Sequence, residues 1–349
     1  MKAIVLFSGG LDSLLAAAIL KRQGVEVIGL NLTTPFHDCS DAAAEGAKAL
    51  GIELVVRHFG NEYMAMVAKP KWGYGKGMNP CIDCRIAMLK TAAELMTERG
   101  AEFVATGEVV GQRPNSQKMH QLELIARDSG LNGKLLRPLS AKALTASEPE
   151  TTGGVDRTKL YSYTGRQRVS LIALARKEFE IPIIPQPSTG CLLCEGSYAP
   201  RVRDLVRYKP NATSWDAALL TAGRQVRISS EMKCTVARRL DDCTRLEKLY
   251  ARSDRSRCCL LFPKNYNGAA VLLVTDLAPE YGDAHFAMTP ELDTAIHMAG
   301  ALALAFTKPE KYQAAEGGTP TIILKYGACE VLLAIEPDDT VLANVKMIK

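Results

Sequence analysis

Two groups of residues in this 349-residue chain have types and spacings that can do chemistry: the hexapeptide Ser8-Gly9-Gly10-Leu11-Asp12-Ser13 and two Cys-x-x-Cys pairs, Cys81/Cys84 and Cys191/Cys194. Adjacent glycines let the backbone bend sharply and aim its N–H groups at a ligand. A helix starting directly after them turns its positive dipole end to the same place, so the loop suits phosphate oxygens. Ser8 and Ser13 add hydroxyl donors. A carboxylate at Asp12 is repelled by phosphates unless a cation such as Mg²⁺ lies between them. The hexapeptide therefore reads as a nucleotide site. No Gly-Lys-Ser/Thr follows the glycines, which excludes the Walker loop.

The elements around these residues alternate. Ala3 to Phe7 is a short apolar run suited to a buried parallel strand, and the segment holding Leu14, Leu15, Ala18 and Ile19 reads as a helix ended near Gly24. Val25–Leu32 predicts a second strand, Asp41–Leu50 a helix, Ile52–Arg57 a third strand, Ile82–Thr97 a long helix and Phe103–Thr106 a fourth strand. Such alternation predicts an α/β fold with a doubly wound, mostly parallel sheet whose ligands bind beyond the carboxyl ends of the strands. The loops after Phe7, Leu32 and Thr106 should then meet in one crevice, with an adenine near Leu32 and Gly107. Residues 112–131 read as helical and 141–156 as an exposed loop. A helix at Gln167–Phe179 leads to a stiff connector at Pro182, Pro185 and Pro187. Beyond Asp204 short strands mix with helices, at Gln225–Ser229, Cys258–Phe262, Ala269–Val274, Thr319–Leu324 and Cys329–Ala334. The expected domains are residues 1–205 and a smaller α+β domain over 206–349.

The four paired cysteines allow three chemistries. Two Cys-x-x-Cys pairs supply the ligand count of tetrahedral Zn²⁺, although they lie more than a hundred residues apart. They could also form a dithiol or persulfide pair without metal. The third reading is an iron–sulfur cluster on three of the four, with one iron open. Cys81 and Cys84 stand at the start of the long helix beside Arg85, where the dipole and the guanidinium favour thiolate. Trp72 and Tyr74, flanked by Lys71 and Lys76, suit either base stacking or a lid.

The N-terminal Ser-Gly-Gly-Leu-Asp-Ser resembles the loop of the PP-loop ATP pyrophosphatases. That resemblance implies cleavage of ATP between its α- and β-phosphates, giving an adenylated substrate and diphosphate. Asn79-Pro80-Cys81-Ile82-Asp83-Cys84 after such a loop looks like the tRNA-thiolating branch, the 2-thiouridine and 4-thiouridine synthetases. Residues 106–117, then Leu136-Arg137-Pro138-Leu139-Ser140, Gly165-Arg166 and Gly190-Cys191-Leu192-Leu193, resemble a stand-alone 4-thiouridine-synthetase-like subfamily with an NFACT-like RNA-binding C-terminal domain. The match is close over residues 1–205 and loose beyond.

The resemblance implies a PP-loop/HUP-like fold, tRNA as partner and ATP with Mg²⁺ on Ser8, Gly9, Gly10, Leu11, Asp12 and Ser13. It also implies a [4Fe-4S] cluster on Cys81, Cys84 and Cys191, the three cysteines acting catalytically with Asp12. Cys194 departs from the pattern, standing as an alternative or fourth ligand and keeping Zn²⁺ open. Because the loop begins at Ser8, an RNA-binding extension ahead of it and a rhodanese-type module at the C-terminus, as in the full-length 4-thiouridine synthetase, are not expected. RNA binding is then expected from the C-terminal portion. Sulfur is expected as free sulfide or from a separate cysteine desulfurase or carrier.

Composition agrees with a globular chain: 47% hydrophobic, 23% charged, net charge +5. Charge is uneven, with 14 Lys+Arg against 7 Asp+Glu between Arg201 and Leu260, and arginine forks suit phosphate backbones as well as a solvated face. No apolar run reaches the roughly 18 residues of a membrane helix, and a strand begins within two residues of Met1, so the expected location is the cytoplasm, with no membrane partner. Ten cysteines there are expected as thiols; an oligomer stays open. The implied activity is adenylation of a uridine carbonyl in tRNA and its replacement by sulfur, at position 4 ahead of position 2. The rival readings are an adenylating ligase or sulfurtransferase for a small metabolite, and an RNA-binding protein with a vestigial ATP site.

Overall fold

The structure, a computed structural model, describes residues 1–181, 184–186, 190–275, 289–313 and 319–348. It divides into two compact units, Met1–Glu195 and Gly196–Lys349. The break falls before the expected 205/206 because Ala199–Tyr208 folds as a helix of the second unit, with Val202 and Leu205 buried and Asp204 bound to Arg227.

In the first unit, an uninterrupted apolar run is stable as a strand only where both faces are covered. β1 (Lys2–Leu6) is such a strand, followed by α1 (Leu11–Arg22), β2 (Glu26–Thr33), α2 (Ser40–Leu50), β3 (Glu53–His58), α3 (Asn61–Ala68), α4 (Cys81–Glu98), β4 (Phe103–Thr106), α5 (Met119–Asp128), β5 (Leu135–Leu136), α6 (Glu148–Thr151) and α7 (Arg168–Lys177). The five strands run parallel in the order β3-β2-β1-β4-β5. Ala3, Val5 and Phe7 pack on one face with α1, α2 and α7, while Ile4 and Leu6 pack on the other with Leu89, Ala92 and Leu95 of α4 and Ile125 of α5. The chain winds outward from β1 to β3, then returns to place β4 on the other side of β1. The α/β reading therefore holds, and the switch point lies between β1 and β4.

Two expectations need correction. Helix in 112–131 is confined to α5, because Pro114 lacks an amide hydrogen and Gly111 N–H closes a turn on Gln117 O at 2.7 Å. The stretch 141–156 is not simply an exposed loop: it forms a short 3₁₀ turn and α6, with Ala141, Pro149 and Val155 buried. Pro182 and Pro187 of the expected connector lie outside the described residues.

The second unit contains α8 (Ala199–Tyr208), α9 (Ser214–Leu219), β6 (Arg224–Arg227), β7 (Met232–Ala237), α10 (Leu240–Ala251), β8 (Cys258–Pro263), β9 (Ala270–Thr275), α11 (Pro290–Ala305), α12 (Pro309–Gln313), β10 (Thr321–Tyr326), β11 (Cys329–Ala334) and β12 (Lys346–Ile348). Its sheet is antiparallel, ordered β11-β10-β8-β9-β7-β6-β12. Cys234, Cys259, Val271 and Leu273 pack under α11 on one face, and Cys258, Leu260 and Leu272 pack with Leu246 and Tyr250 of α10 on the other. Asp204 accepts a fork from Arg227, Nε to Oδ1 at 3.0 Å and Nη2 to Oδ2 at 2.7 Å, tying α8 to β6. Among the described residues, no helix is long and apolar enough to cross a membrane.

Candidate nucleotide and thiol site

The glycine loop leaves the carboxyl end of β1 at the switch point, where an α/β sheet opens its crevice. Gly9 has φ +70, and a Cβ there would run into the Ala42 carbonyl at the start of α2. Gly107, just after β4, faces the backbone of Asp12 so closely that a Cβ would strike the Asp12 carbonyl. These two contacts lock the loop between neighbouring elements. Ser13 Oγ donates to Gly10 O at 2.9 Å and accepts from Ser8 N at 3.3 Å, and Ser8 Oγ accepts from Gly10 N at 3.3 Å. The serines brace the loop from within. No side chain caps α1, whose N-cap is Gly10, so its first-turn amides remain open to an anion. Leu11 contributes backbone only, since its side chain is in the core.

Asp12 accepts a hydrogen bond from Gln112 Nε2 to Oδ2 at 3.0 Å. Burial raises its pKa, with Gln112, Arg113 and Arg168 pulling the other way. A carboxylate beside an anion cradle is the oxygen donor that Mg²⁺ on phosphates needs. Leu32, one residue before the end of β2, is packed with Leu89 in the core, leaving little of its side chain to a ligand. Asn31 ties the neighbourhood together, donating to Phe7 O at 2.9 Å and Cys39 Sγ at 3.3 Å. Cys39 caps α2.

The thiols meet because two loops are pinned by backbone. Leu192 N–H donates to Phe36 O at 3.1 Å, and Met78 N–H donates to Leu193 O at 3.0 Å. Cys191 and Cys194 thereby reach Cys81 and Cys84 at the start of α4. Cys194 donates a hydrogen bond to Cys81, the main reason the Cys81 thiol falls to about 6; burial opposes the fall, while Asn79 Nδ2, 3.0 Å from Sγ, with Arg85 and Arg113, assists it. The same bond pushes the Cys194 thiol well up. Burial raises Cys84, whose Sγ accepts from Tyr63 Oη at 3.3 Å, and lifts Cys191 to about 12. Cys81 is thus the one of the four thiols whose ionisation its surroundings favour. Among the described residues, no group of three or more His, Cys, Asp or Glu stands ready around a metal ion.

Three further residues shape the site. Glu108 is 3% exposed, with Arg85 Nε 3.1 Å from Oε1 and Arg137 Nε 3.1 Å from Oε2. Burial alone would raise its pKa, but the two guanidinium groups hold it below the carboxylate range. Glu108 therefore fixes Arg85 beside the cysteines. Arg113 lies within electrostatic reach of Asp12, Cys81 and Cys194, between the loop and the thiols. Only its place directly after Gln112 in the loop following β4 hints at this in the sequence. Trp72 and Tyr74 are over a third exposed, and the amides of Lys71 and Trp72 donate to Asp83 on α4 at 2.9 and 3.0 Å.

Residues 1–131 match the family model of the tRNA methyl transferase HUP domain. The chain is 33% identical over 121 residues to the tRNA-specific 2-thiouridylase MnmA of Pelobacter propionicus, covering 31% of this chain and 33% of that protein. The chain is therefore similar, over about a third of its length, to proteins named for tRNA thiolation. It is also 28% identical over 147 residues to a "Probable tRNA sulfurtransferase" of Thermococcus kodakarensis, covering 40% of this chain and 36% of that one. The chain thus spans about a third of the length of the curated relatives it matches. A solved 4-thiouridine synthetase–RNA complex with bound ATP has a TM-score of 0.35 and 19% identity over 62% of this chain and 53% of that chain, too distant to add to the sheet topology.

Proposed function

We propose that this protein adenylates a uridine carbonyl oxygen of tRNA and replaces that oxygen with sulfur. What supports the reading is Arg113, within electrostatic reach both of Asp12 on the glycine loop and of the thiols Cys81 and Cys194, so that loop and thiols share one neighbourhood. In the first step the uridine oxygen attacks the α-phosphorus of ATP, the bond to the bridging oxygen breaks, and diphosphate leaves. The loop amides, braced by the Ser8 and Ser13 hydroxyls, hold the β- and γ-phosphates, and Asp12 would hold Mg²⁺, which would offset their charge. Such preorganised donors lower the barrier by about 1.4 kcal/mol per tenfold in rate. The ring then carries AMP, a far better leaving group than the original oxygen. Sulfide-level sulfur from a separate donor adds to the activated carbon, and the carbon–oxygen bond breaks to release AMP.

The thiols fit a soft metal group by their chemistry: four sulfur donors, one already favouring thiolate. Cys81, Cys84 and Cys191 would hold a [4Fe-4S] cluster, with Cys194 as the alternative or a fourth ligand for Zn²⁺. Such a cluster would supply sulfur-binding iron beside the activated ring. Gly107 supports the adenylation half by bringing β4 against the Asp12 backbone. The arginine-rich second unit would take the body of the RNA.

The test is air-free incubation of the full chain with ATP, Mg²⁺, sulfide and unmodified tRNA transcript. Diphosphate release that depends on tRNA, with 4-thiouridine in the digested product, is the expected result. 2-Thiouridine in its place would move the chemistry to the position for which the 2-thiouridylase relatives are named. Release driven by a small metabolite and not by tRNA would overturn the reading.

A further inference from the structure

Outside the PP-loop crevice, the described residues of the second unit form an open cleft of about 520 Å³ where α8, α9 and the end of α10 meet. Its volume lies in the range that holds one small ligand. We propose that this cleft holds one single-stranded nucleotide of the RNA, its phosphate on Arg252 and its base against Trp215. The inference rests on RNA being the substrate, and it names where the second unit grips it.

Charge is the first argument. Asp216 and Asp254 line the cleft; Asp216 is paired inside the fold, while Asp254 is exposed and turned onto Ser256. Asp216 accepts from Lys209 Nζ at 2.8 Å and from Thr213 N at 2.7 Å; Asp254 accepts from Ser256 N at 3.1 Å and Oγ at 2.6 Å. Arg252 is exposed and has no carboxylate partner among the described residues. Behind a wall shared through Tyr208, Lys209 and Asp216 lies a second cavity of about 40 Å³, onto which Lys233 faces. Lys233 Nζ is covered, has no hydrogen-bond acceptor, and lies 3.9 Å from Asp204 Oδ2, an oxygen that Arg227 already takes at 2.7 Å. A buried ammonium without an acceptor leaves positive potential at the wall, which favours an anion on the far side.

The remaining arginines make the choice of cleft more selective. Arg201 is committed to the carbonyls of Leu220 and Gly223, and Arg227 to Asp204, so the basic composition of 201–260 is not a uniform face. Trp215 supplies the apolar part. Its indole N–H already donates to Leu249 O at 2.8 Å, so the ring is fixed and offers only its surface. A fixed aromatic beside a cation is the arrangement that holds an unpaired base and its phosphate without reading sequence.

The experiment uses the full chain in the Trp72→Phe background, which leaves Trp215 as the only tryptophan. Its emission is followed, without ATP, on titration with unmodified tRNA transcript, with octauridylate and with UMP at several salt concentrations. Quenching by both RNAs is expected. Arg252→Gln, an exposed change, should weaken RNA binding about tenfold at fixed salt and flatten the log–log salt slope by about 0.7, the loss of one single-strand phosphate contact. Lys233→Met should weaken binding with the slope kept, because its charge acts through the wall. Unchanged emission, or an unchanged affinity and slope in Arg252→Gln, would overturn the assignment. Quenching by UMP alone would overturn the RNA source and leave a free nucleotide as ligand. Because binding is read without turnover, a failure of tRNA-dependent diphosphate release would sink the thiolation reading separately.

Discussion

The glycine loop at Ser8–Ser13 and the cleft around Arg252 both suit phosphate, but they differ in what supplies the positive charge. The loop uses backbone amides and a helix dipole, held in place by two glycines that touch neighbouring backbone. The cleft uses a long cationic side chain at a helix end, Arg252, with no carboxylate partner among the described residues. The first arrangement depends on position within fractions of an ångström and suits a step in which charge moves between known atoms. The second depends on potential and tolerates movement, as the grip on a large flexible polyanion requires. Chemistry and capture are thereby assigned to different kinds of structure.

The sharpest way to break this contrast is at the loop. Gly9→Ala, which places a methyl group against the Ala42 carbonyl at φ +70, should lower tRNA-dependent diphosphate release by about a thousandfold or more. Asp12→Asn should do the same with the fold retained, as read by circular dichroism. A variant of either kind with near-normal release would show that the loop is not the cradle.

The next effect concerns stability. Glu108→Gln leaves Arg85 and Arg137 in the interior without their counter-charge and should cost about 3–5 kcal/mol in urea unfolding. Glu108 in the folded protein titrates below its ordinary value. Its contribution is therefore complete above the ordinary carboxylate pKa and is lost as pH falls through the depressed one. The wild-type unfolding midpoint should drop over that acid range, and the drop should be shallower in Glu108→Gln.

Two smaller effects separate the stages. Cys81→Ala should reduce the thiolated nucleoside far more than it reduces diphosphate release, with both products measured in one reaction. Equal losses would place Cys81 in the adenylation step. Salt supplies the last contrast. Raising it from about 50 to 200 mM should weaken tRNA binding at least about tenfold, as a few phosphate contacts require, while the KM for ATP moves by less than about threefold.

Much of the first unit is legible in the sequence because its signals are local. The apolar run of β1, the glycines after it and the capless start of α1 are contiguous, so the nucleotide loop can be read from one dozen residues. The meeting of Cys81 with Cys194 is not local. It depends on backbone bonds from Leu192 to Phe36 and from Met78 to Leu193, which any residue type can make. Glu108 is likewise silent, since a carboxylate after a strand gives no sign that two distant arginines enclose it. Leu32 differs: its place at a strand's end suggests a ligand contact, while its side chain packs in the core with Leu89. In the second unit β7 alternates apolar and polar from Met232 to Val236, as a half-exposed strand would, yet all its residues but Lys233 are buried, so the alternation hides the cover on its second face. Among the cysteines outside the two Cys-x-x-Cys pairs, Cys234, Cys258 and Cys259 are buried as small apolar side chains, whereas Cys329 is exposed.

The central claim is that the PP-loop crevice passes an adenylyl group to an RNA oxygen. The most direct measurement is transfer of label from [α-³²P]ATP to unmodified tRNA by the full chain, free of air and with sulfide withheld. Labelled RNA that forms with wild-type protein, is absent with Asp12→Asn, and loses its label as AMP once sulfide is added is the predicted result. Unlabelled RNA under those conditions, with ATP left intact, would contradict it.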